Sequence, residues 1–221
     1  MSAIKLIIFD LDGTLIDSLD DLTAAVNRMR ADFGLPGLHR DTVRTMVGHG
    51  AGNLVARALP SLSAAEVERG LGLFLAYNEE AIADRTVPYP EVRETLQLLA
   101  SRGMTSVVVS NKNEALCRKV LQLLSLDSYF AGIFGADSFP ERKPSPLPLL
   151  HVMHAYGCSP AETVIVGDSI NDIAAGRAAG IRTVGCTYGY GGTGELTDAT
   201  LVVNGFAELQ SLPLFAGPAQ G

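Results

Sequence analysis

The apolar run Ile4-Lys5-Leu6-Ile7-Ile8-Phe9, followed at once by Asp10-Leu11-Asp12-Gly13-Thr14, carries the strongest structural signal in the chain. The run predicts a short buried β-strand. Two carboxylates then stand two residues apart at its end, and a buried carboxylate is costly unless a cation compensates it. A divalent metal ion together with a phosphate oxygen would suit such a pair. The stretch therefore indicates a magnesium-dependent phosphoryl-transfer site, with a simple helix-capping turn as the alternative.

Length and composition narrow the possible classes. The chain has 221 residues, 47% of them hydrophobic, which suits one substantial domain with a small insert. Its net charge of −7 argues against nucleic acid or an anionic membrane surface as the main partner. Three widely spaced cysteines predict reduced thiols, and no apolar run approaches the roughly 20 residues of a membrane span. We expect a soluble, cytoplasmic protein that acts on a small molecule, and the sequence leaves its oligomeric state open.

The second half of the chain alternates strand and helix patterns. Short β-branched runs lie at residues 107–109, 164–166, 183–184 and 201–203, with helical patterns at 114–124, 146–156 and 171–179. With the first strand, this order predicts about five parallel strands in a Rossmann-like α/β sheet with helices on both faces. Ligands bind such sheets outside the carboxyl ends of the strands. Asp10, Ser110 and Asp168 all fall at such ends, so we expect them to share one site.

Residues 16–85 interrupt the alternation with a helical insert. Apolar residues recur there at spacings of three and four, beginning with Leu19, Leu22 and Val26, and no strand pattern is present. The return segment, Val87-Pro88-Tyr89-Pro90, is stiffened by its prolines. The sequence therefore predicts an α/β core formed by residues 1–15 and 86–221. An all-helical cap at 16–85 would be hinged near residues 15–18 and 86–90.

Three further segments place polar residues at strand ends or helix starts, in addition to Asp10 and Asp12. They are Ser110-Asn111-Lys112, Lys143 before Pro144, and Gly167-Asp168 followed by Asn171-Asp172. Each has a local alternative: a helix N-cap, a solvated loop charge and a strand-end turn. Together, and in this order, the four segments predict a single site.

On these motifs the chain resembles the haloacid dehalogenase superfamily of phosphohydrolases over nearly its whole length. The helical insert resembles the first cap type of that superfamily. Ser110-Asn111-Lys112, Arg142-Lys143-Pro144 and Gly48-His49-Gly50 most resemble the phosphoglycolate phosphatase branch, in which an asparagine often stands at the position of His49.

The resemblance implies a set of catalytic roles. Asp10 would be the nucleophile that forms an aspartyl-phosphate, and Asp12 the acid and base that protonates the leaving oxygen and then activates water. Mg²⁺ would be bound at a site formed by Asp10, Asp12, Asp168 and Asp172, with Asp10, the backbone carbonyl of Asp12 and Asp168 as direct ligands and Asp172 in or near the second coordination shell. Lys143 and Ser110 would neutralise and hold the phosphoryl oxygens.

The resemblance also implies substrate contacts. In the core these are assigned to Gly13, Thr14, Ser110, Asn111, Lys112 and Lys143, and in the cap to Arg44 and His49. Gly13 would let the backbone approach the phosphate, and Lys112 would bind a substrate carboxylate. Arg44 and His49 would touch the distal end of the substrate, unless both simply face solvent.

Other functions stay open at this point. A sugar-phosphate phosphatase, a mutase or a pyrophosphatase would use the same residues, whereas a non-enzymatic relative would be expected to lack at least one of them. A dehalogenase is disfavoured because its chemistry needs neither magnesium nor Asp12. The G-x-G-x-x-G pattern at 189–194 does not predict a dinucleotide site, because no helical pattern follows it and Asp198 comes too soon. A turn-rich loop is expected there.

Overall fold

The structure is a computed structural model that describes residues 3–216. The strands, in chain order, are β1 (Leu6–Phe9), β2 (Ile16–Asp17), β3 (Val87–Pro88), β4 (Thr105–Val109), β5 (Gly132–Phe134), β6 (Thr163–Gly167), β7 (Arg182–Cys186) and β8 (Leu201–Val203). The α-helices are α1 (Leu19–Asp32), α2 (Arg40–Arg44), α3 (Ala51–Ala58), α4 (Ala64–Glu80), α5 (Val92–Ser101), α6 (Glu114–Leu123), α7 (Leu147–Ala155) and α8 (Ile170–Ala178). Short 3₁₀ helices span Asp127–Tyr129, Pro160–Glu162, Thr193–Leu196, Phe206–Ser211 and Pro213–Phe215.

Six strands form one parallel sheet in the order β5-β4-β1-β6-β7-β8. The predicted α/β class is confirmed, and β1 lies inside the sheet, with Phe9 paired to Val108 on one side and to Val166 on the other. From β1 the chain first adds β4 and β5 on one side of the sheet and then β6, β7 and β8 on the other. The point at which the strand order reverses therefore lies beside β1. Ligand sites form at such a switch point.

The expected five strands are one short of the observed sheet. The additional edge strand is β5, which pairs with β4 through three residues, of which Ile133 alone is fully buried. A run this short, with a glycine and one buried side chain, carries neither the alternation nor the apolar length that identifies a strand.

Helices cover both faces of the sheet, because successive side chains of a strand point to opposite sides. Ile7 and Phe9 of β1 pack with residues of α5 and α6, whereas Leu6 and Ile8 pack with residues of α7 and α8. These side chains are fully buried. The continuous apolar run of β1 therefore fills two separate layers of core.

Helices α1 to α4 build a second hydrophobic cluster beside the sheet, centred on Val26, Met29, Val55 and Phe74. The short antiparallel ribbon of β2 and β3 joins this cluster to the core. The Asp21 carboxylate fixes the return of the chain, since it accepts hydrogen bonds from the backbone N–H groups of Arg85 and Thr86. The domain boundaries at 15/16 and 85/86 stay predictions, and α1 to α4 lie between them.

Two features bear on the environment of the protein. Among residues 3–216, no helix combines the length and apolar character needed to cross a bilayer. Cys117, Cys158 and Cys186 are free thiols, and two of them are buried.

Candidate active site

Three buried carboxylates meet at the carboxyl edge of the sheet. Asp10 follows β1, Asp168 follows β6, and Asp172 lies in the first turn of α8. One oxygen of each lies within 4.8 Å of the other two. The sheet brings these residues together because β1 and β6 are neighbours in register and end at the same edge.

Lys143 supplies the buried positive charge of this cluster. Its ammonium lies 3.0 Å from Asp10 Oδ1 and donates a hydrogen bond of 2.6 Å to Asp172 Oδ1. Burial disfavours the charged ammonium, but the two carboxylates outweigh that cost and raise the pKa of Lys143 above its ordinary value. Lys143 is therefore a fixed cation beside Asp10.

Asp172 holds this lysine in place. Its Oδ2 accepts hydrogen bonds from the backbone N–H and the hydroxyl of Ser169, which closes the N-terminus of α8. Its Oδ1 faces Lys143. Because both oxygens are engaged, Asp172 is better placed to orient Lys143 than to bind a metal ion directly.

Asp168 is held by backbone and side-chain donors on both oxygens. Oδ1 accepts from the Thr14 hydroxyl at 3.2 Å, and Oδ2 from the backbone N–H groups of Tyr190 at 2.6 Å and Gly191 at 3.3 Å. Burial, together with the charges of Asp10 and Asp172, nevertheless raises the pKa of Asp168 to about 8. The hydroxyl of Thr14 thus binds Asp168 in this structure, and the substrate contact that the resemblance implies for Thr14 stays a prediction.

Glycines pack against Asp168 from both sides. Gly13 adopts a φ of +85°, and a Cβ there would clash with the Asp168 carboxylate. Gly189 and Gly191 approach the same residue so closely that any side chain would collide with it. Two glycines of the G-x-G-x-x-G pattern are therefore explained by their packing around Asp168, whereas a Cβ at Gly194 would meet no neighbour within 4 Å. The expected turn-rich loop is observed.

Asp12 stands apart from the three clustered carboxylates. Lys112 Nζ lies 3.1 Å from both of its oxygens, and the Ser18 hydroxyl donates to its Oδ1 at 2.5 Å. The hydroxyl of Tyr190 in turn accepts from the backbone N–H of Ser18 at 2.6 Å and donates to Asp17 Oδ1 at 2.9 Å. A continuous set of hydrogen bonds therefore runs from the loop that holds Asp168 to Asp12.

The carboxylate cluster fits a magnesium ion. Lys143 Nζ lies 3.0 Å from Asp10 Oδ1, and apart from this ion pair no described residue contacts this buried oxygen with a hydrogen-bond donor. Burial and the charge of Asp172 raise the pKa of Asp10 to about 6 in spite of the lysine. Three carboxylates around a single lysine leave the cluster short of positive charge. Carboxylate oxygens are the ligands that Mg²⁺ prefers, so the donor set matches the ion.

The cap meets this edge of the sheet through Gly48. Its carbonyl accepts hydrogen bonds from the side-chain amides of Asn111 at 2.9 Å and Asn171 at 3.1 Å. Asn111 also donates to the carbonyl of Lys143 at 2.8 Å. Gly48 and Gly50 both have positive φ values, +101° and +82°, which glycine adopts without strain. Asn111, for which the sequence predicted a substrate contact, connects the cap loop to the lysine loop and also lines a cavity with Asp10.

Two cavities meet at Asp12 beneath the cap. The smaller, about 60 Å³, contains Asp10, Ser110 and Lys112 among its lining residues. The larger, about 360 Å³, is lined by Arg44, His49 and Asp168 among others. Sequence reasoning grouped Arg44 and His49 with Lys112, whereas the structure separates them by cavity. The Arg44 guanidinium also donates to the carbonyls of Gly189 and Tyr190.

Two residues of the site were missed from sequence. Asn78 of α4 lines the smaller cavity, and as one polar residue within an amphipathic helix it gave no signal. The other is Tyr190, in the loop for which the sequence predicted only turns. Its position between two glycines was the available signal, because glycine lets the backbone approach a neighbour closely.

Comparison with known proteins adds to this geometry. Residues 7–186 match the family model described as haloacid dehalogenase-like hydrolase. A protein of Chromobacterium violaceum named phosphoglycolate phosphatase is 44% identical over 214 residues, which cover 95% of this chain and 96% of that one. A protein of Haemophilus influenzae with the same name is 39% identical, covering 94% and 97%.

A solved structure shows the same architecture. The crystal structure of a predicted phosphoglycolate phosphatase from Haemophilus somnus matches with a TM-score of 0.89 and 34% identity, covering 96% of this chain and 98% of that one. The likeness therefore extends over the helical cap as well as the sheet.

Proposed function

This chain belongs to the haloacid dehalogenase-like hydrolases, and from that premise we propose that it is a magnesium-dependent phosphatase of a small phosphorylated acid, 2-phosphoglycolate. The observation that carries the proposal is the buried Asp10, whose Oδ1 faces Lys143 and has no hydrogen-bond donor among the described residues. An oxygen held in this way is available to attack phosphorus. The names of relatives 39–44% identical over nearly the whole chain support the substrate.

Asp10 acts as the nucleophile in this proposal. A carboxylate oxygen attacks the phosphorus atom, the bond from phosphorus to the alcohol oxygen breaks, and an aspartyl-phosphate forms. Lys143 lies beside Asp10 and stabilises charge on the phosphoryl oxygens. Ser110 lines the smaller cavity together with Asp10. Positioning and charge stabilisation then account for most of the rate, as in other phosphoryl transfers.

Asp12 moves the protons. It gives a proton to the departing alcohol oxygen and takes one from the water that hydrolyses the aspartyl-phosphate. The Ser18 hydroxyl fixes the orientation of its carboxylate, and Lys112 lies against both of its oxygens. Asp12 is thereby kept separate from the carboxylates around Lys143.

Asp10 and Asp168 would hold the magnesium ion together with the backbone carbonyl of Asp12, while Asp172 orients Lys143. When bound, Mg²⁺ supplies Lewis-acid polarisation of a phosphoryl oxygen and offsets the negative charge of the cluster. The three unpaired cysteines and the family relatives support a cytoplasmic enzyme acting on a small phosphate ester.

Phosphate release from a panel of esters tests this function. The panel contains 2-phosphoglycolate, glucose 6-phosphate, glucose 1-phosphate and pyrophosphate, each with Mg²⁺ and with a chelator. We expect release to require Mg²⁺ and kcat/KM to be highest for 2-phosphoglycolate. A preference for a sugar phosphate or for pyrophosphate would show that 2-phosphoglycolate is not the substrate. Phosphate release that is the same in chelator as in Mg²⁺ would contradict the metal dependence.

A further inference from the structure

Asn78 is a buried amide that the proposed chemistry leaves without a role. It lies on the face of α4 that also buries Gly70 and Phe74, at a spacing of four residues. Phe74 packs into the cap cluster, and one turn further along Asn78 is only 3% exposed. Within residues 3–216 no side-chain hydrogen bond involves Asn78, and the residue lines the smaller cavity. Among the described residues, the fully buried side-chain atoms that lack a partner are Asp10 Oδ1 and Asn111 Oδ1, so the Asn78 amide is open to the cavity and available to a ligand there.

The smaller cavity has a divided character. Its floor carries Asp10, Asp12 and Ser110, where the phosphoryl group reacts. Most of its walls are apolar, and they are formed by Leu22, Val47, Ala51, Leu54, Phe74, Leu75 and Leu116. Among its lining residues Lys112 has the one cationic side chain. A leaving group that enters this cavity therefore contacts few polar side chains. Among the lining residues, Asn78 is the one polar side chain that comes from the helical cap.

The volume of the smaller cavity suits a small leaving group. A volume of about 60 Å³ accepts roughly four to six water-sized groups, since one water needs about 10–15 Å³ of such space. A two-carbon acid is of this size. A hexose is larger, and its hydroxyls would lie unpaired against the apolar walls.

We propose that Asn78 is the specificity-determining residue of the cap, and that its side-chain N–H groups donate to the carboxylate of a two-carbon leaving group. Lys112 supplies a positive charge to the substrate carboxylate from the core side. Because Lys112 already lies against Asp12, the substrate carboxylate needs a second donor. Arg44 and His49 line the other cavity and do not take this part. The inference rests on the proposed function and names the residue that reads its substrate.

Two substrates and two variants test the inference. Ethyl phosphate has the length of 2-phosphoglycolate but carries a methyl group in place of the carboxylate. Asn78→Leu keeps the side-chain size and removes the donors, and Asn78→Asp replaces them with a negative charge. For both variants kcat/KM for 2-phosphoglycolate should fall about 10- to 100-fold, mainly through KM, because a hydrogen bond to a charged group is lost. The ratio of kcat/KM for 2-phosphoglycolate to kcat/KM for ethyl phosphate should therefore fall in both variants.

The control is Ala76→Asp, which adds the same charge two residues away on the exposed face of α4. It should leave both substrates unaffected, and thermal melting should show every variant folded. If the wild type does not prefer 2-phosphoglycolate to ethyl phosphate, the proposed substrate is wrong and the inference falls with it. If the wild type has that preference and both Asn78 variants keep it, only the inference is overturned. The inference is also overturned if Arg44→Gln or His49→Ala loses the preference for 2-phosphoglycolate over ethyl phosphate while the Asn78 variants keep it. That result would show that the substrate carboxylate binds in the larger cavity.

Discussion

Asp10 is the residue in which the competing effects of the site are concentrated. Burial and neighbouring carboxylates disfavour its charge, whereas the ammonium of Lys143 at 3.0 Å favours it. The balance leaves an ionisable carboxylate with one oxygen free of hydrogen bonds. A carboxylate oxygen of this kind has a lone pair available for attack on phosphorus.

Replacement of Asp10 by asparagine separates chemistry from folding. Asp10→Asn removes the attacking oxygen but keeps the shape, so turnover should fall by on the order of 10⁵-fold or more, as when other nucleophiles are deleted. Stability should not fall, because the change also removes repulsion from Asp168 and Asp172. Steady-state phosphate release and a thermal melt of the same sample measure both effects. Near wild-type turnover would show that Asp10 is not the nucleophile.

The pKa values of Asp10 and Asp168 predict how stability depends on pH and magnesium. Both pKa values lie above the ordinary value near 4: that of Asp10 is about 6 and that of Asp168 about 8. Between pH 4 and pH 8 the folded protein therefore binds more protons than the unfolded chain. Stability of the metal-free protein must then decrease as pH rises from about 4 to 8. We expect a lower melting temperature at pH 8 than at pH 6 in chelator, and a larger gain from Mg²⁺ at pH 8.

A matched variant shows whether the carboxylates are the cause. Asp168→Asn should flatten the decrease with pH and reduce the gain from Mg²⁺, because one of the two titrating groups is gone. A metal-free protein that is equally stable at both pH values, or a gain from Mg²⁺ that is larger at pH 6, would contradict the assignment of these groups.

At the scale of elements, the loop after β7 joins parts of the site that lie far apart in sequence. Its backbone binds Asp168, and the Tyr190 hydroxyl binds Asp17 and the backbone of Ser18, where the chain enters the cap. Arg44 of the cap donates to the carbonyls of the same loop. A single loop therefore contacts the carboxylate cluster, the cap and Ser18, whose hydroxyl donates to Asp12.

Tyr190→Phe tests the hydroxyl alone. The variant keeps the backbone N–H that binds Asp168, so the Mg²⁺ concentration for half-maximal activity should not change. Ser18 loses its acceptor, and because the Ser18 hydroxyl holds Asp12, kcat should fall about tenfold, as for other outer partners of a catalytic group. Tyr188→Phe serves as the control, because its hydroxyl in the same loop donates to the Thr14 carbonyl and not to Ser18. Equal kcat values for the two variants would contradict the role given to Tyr190.

The sequence predicts those elements whose signal is local. β1, β4, β6 and β7 are apolar runs buried on both faces, and the polar residues at their ends identify the site. β5 was missed because its three residues become a strand only through pairing with β4. Asn78 was missed because its burial depends on the placement of α4 over the core, which no local pattern contains.

At the scale of the whole molecule, the sheet and the cap have separate hydrophobic clusters and meet at the carboxyl edge of β1. Gly48 connects them through hydrogen bonds from Asn111 and Asn171. The carboxylate cluster therefore lies between the sheet edge and the helical cap. A cap in this position can shield a covalent intermediate from solvent and select the leaving group.

Transfer of the phosphoryl group to Asp10 is the central claim, and trapping the covalent intermediate tests it most directly. The enzyme would be mixed with 2-phosphoglycolate carrying a radioactive phosphate in the presence of Mg²⁺, quenched in acid within a single turnover, and digested for peptide mapping. We predict an acid-stable label on the peptide that carries Asp10, absent from Asp10→Asn and from samples in chelator. Rapid turnover of the labelled substrate with no protein-bound label, or a label on a peptide without Asp10, would contradict the account.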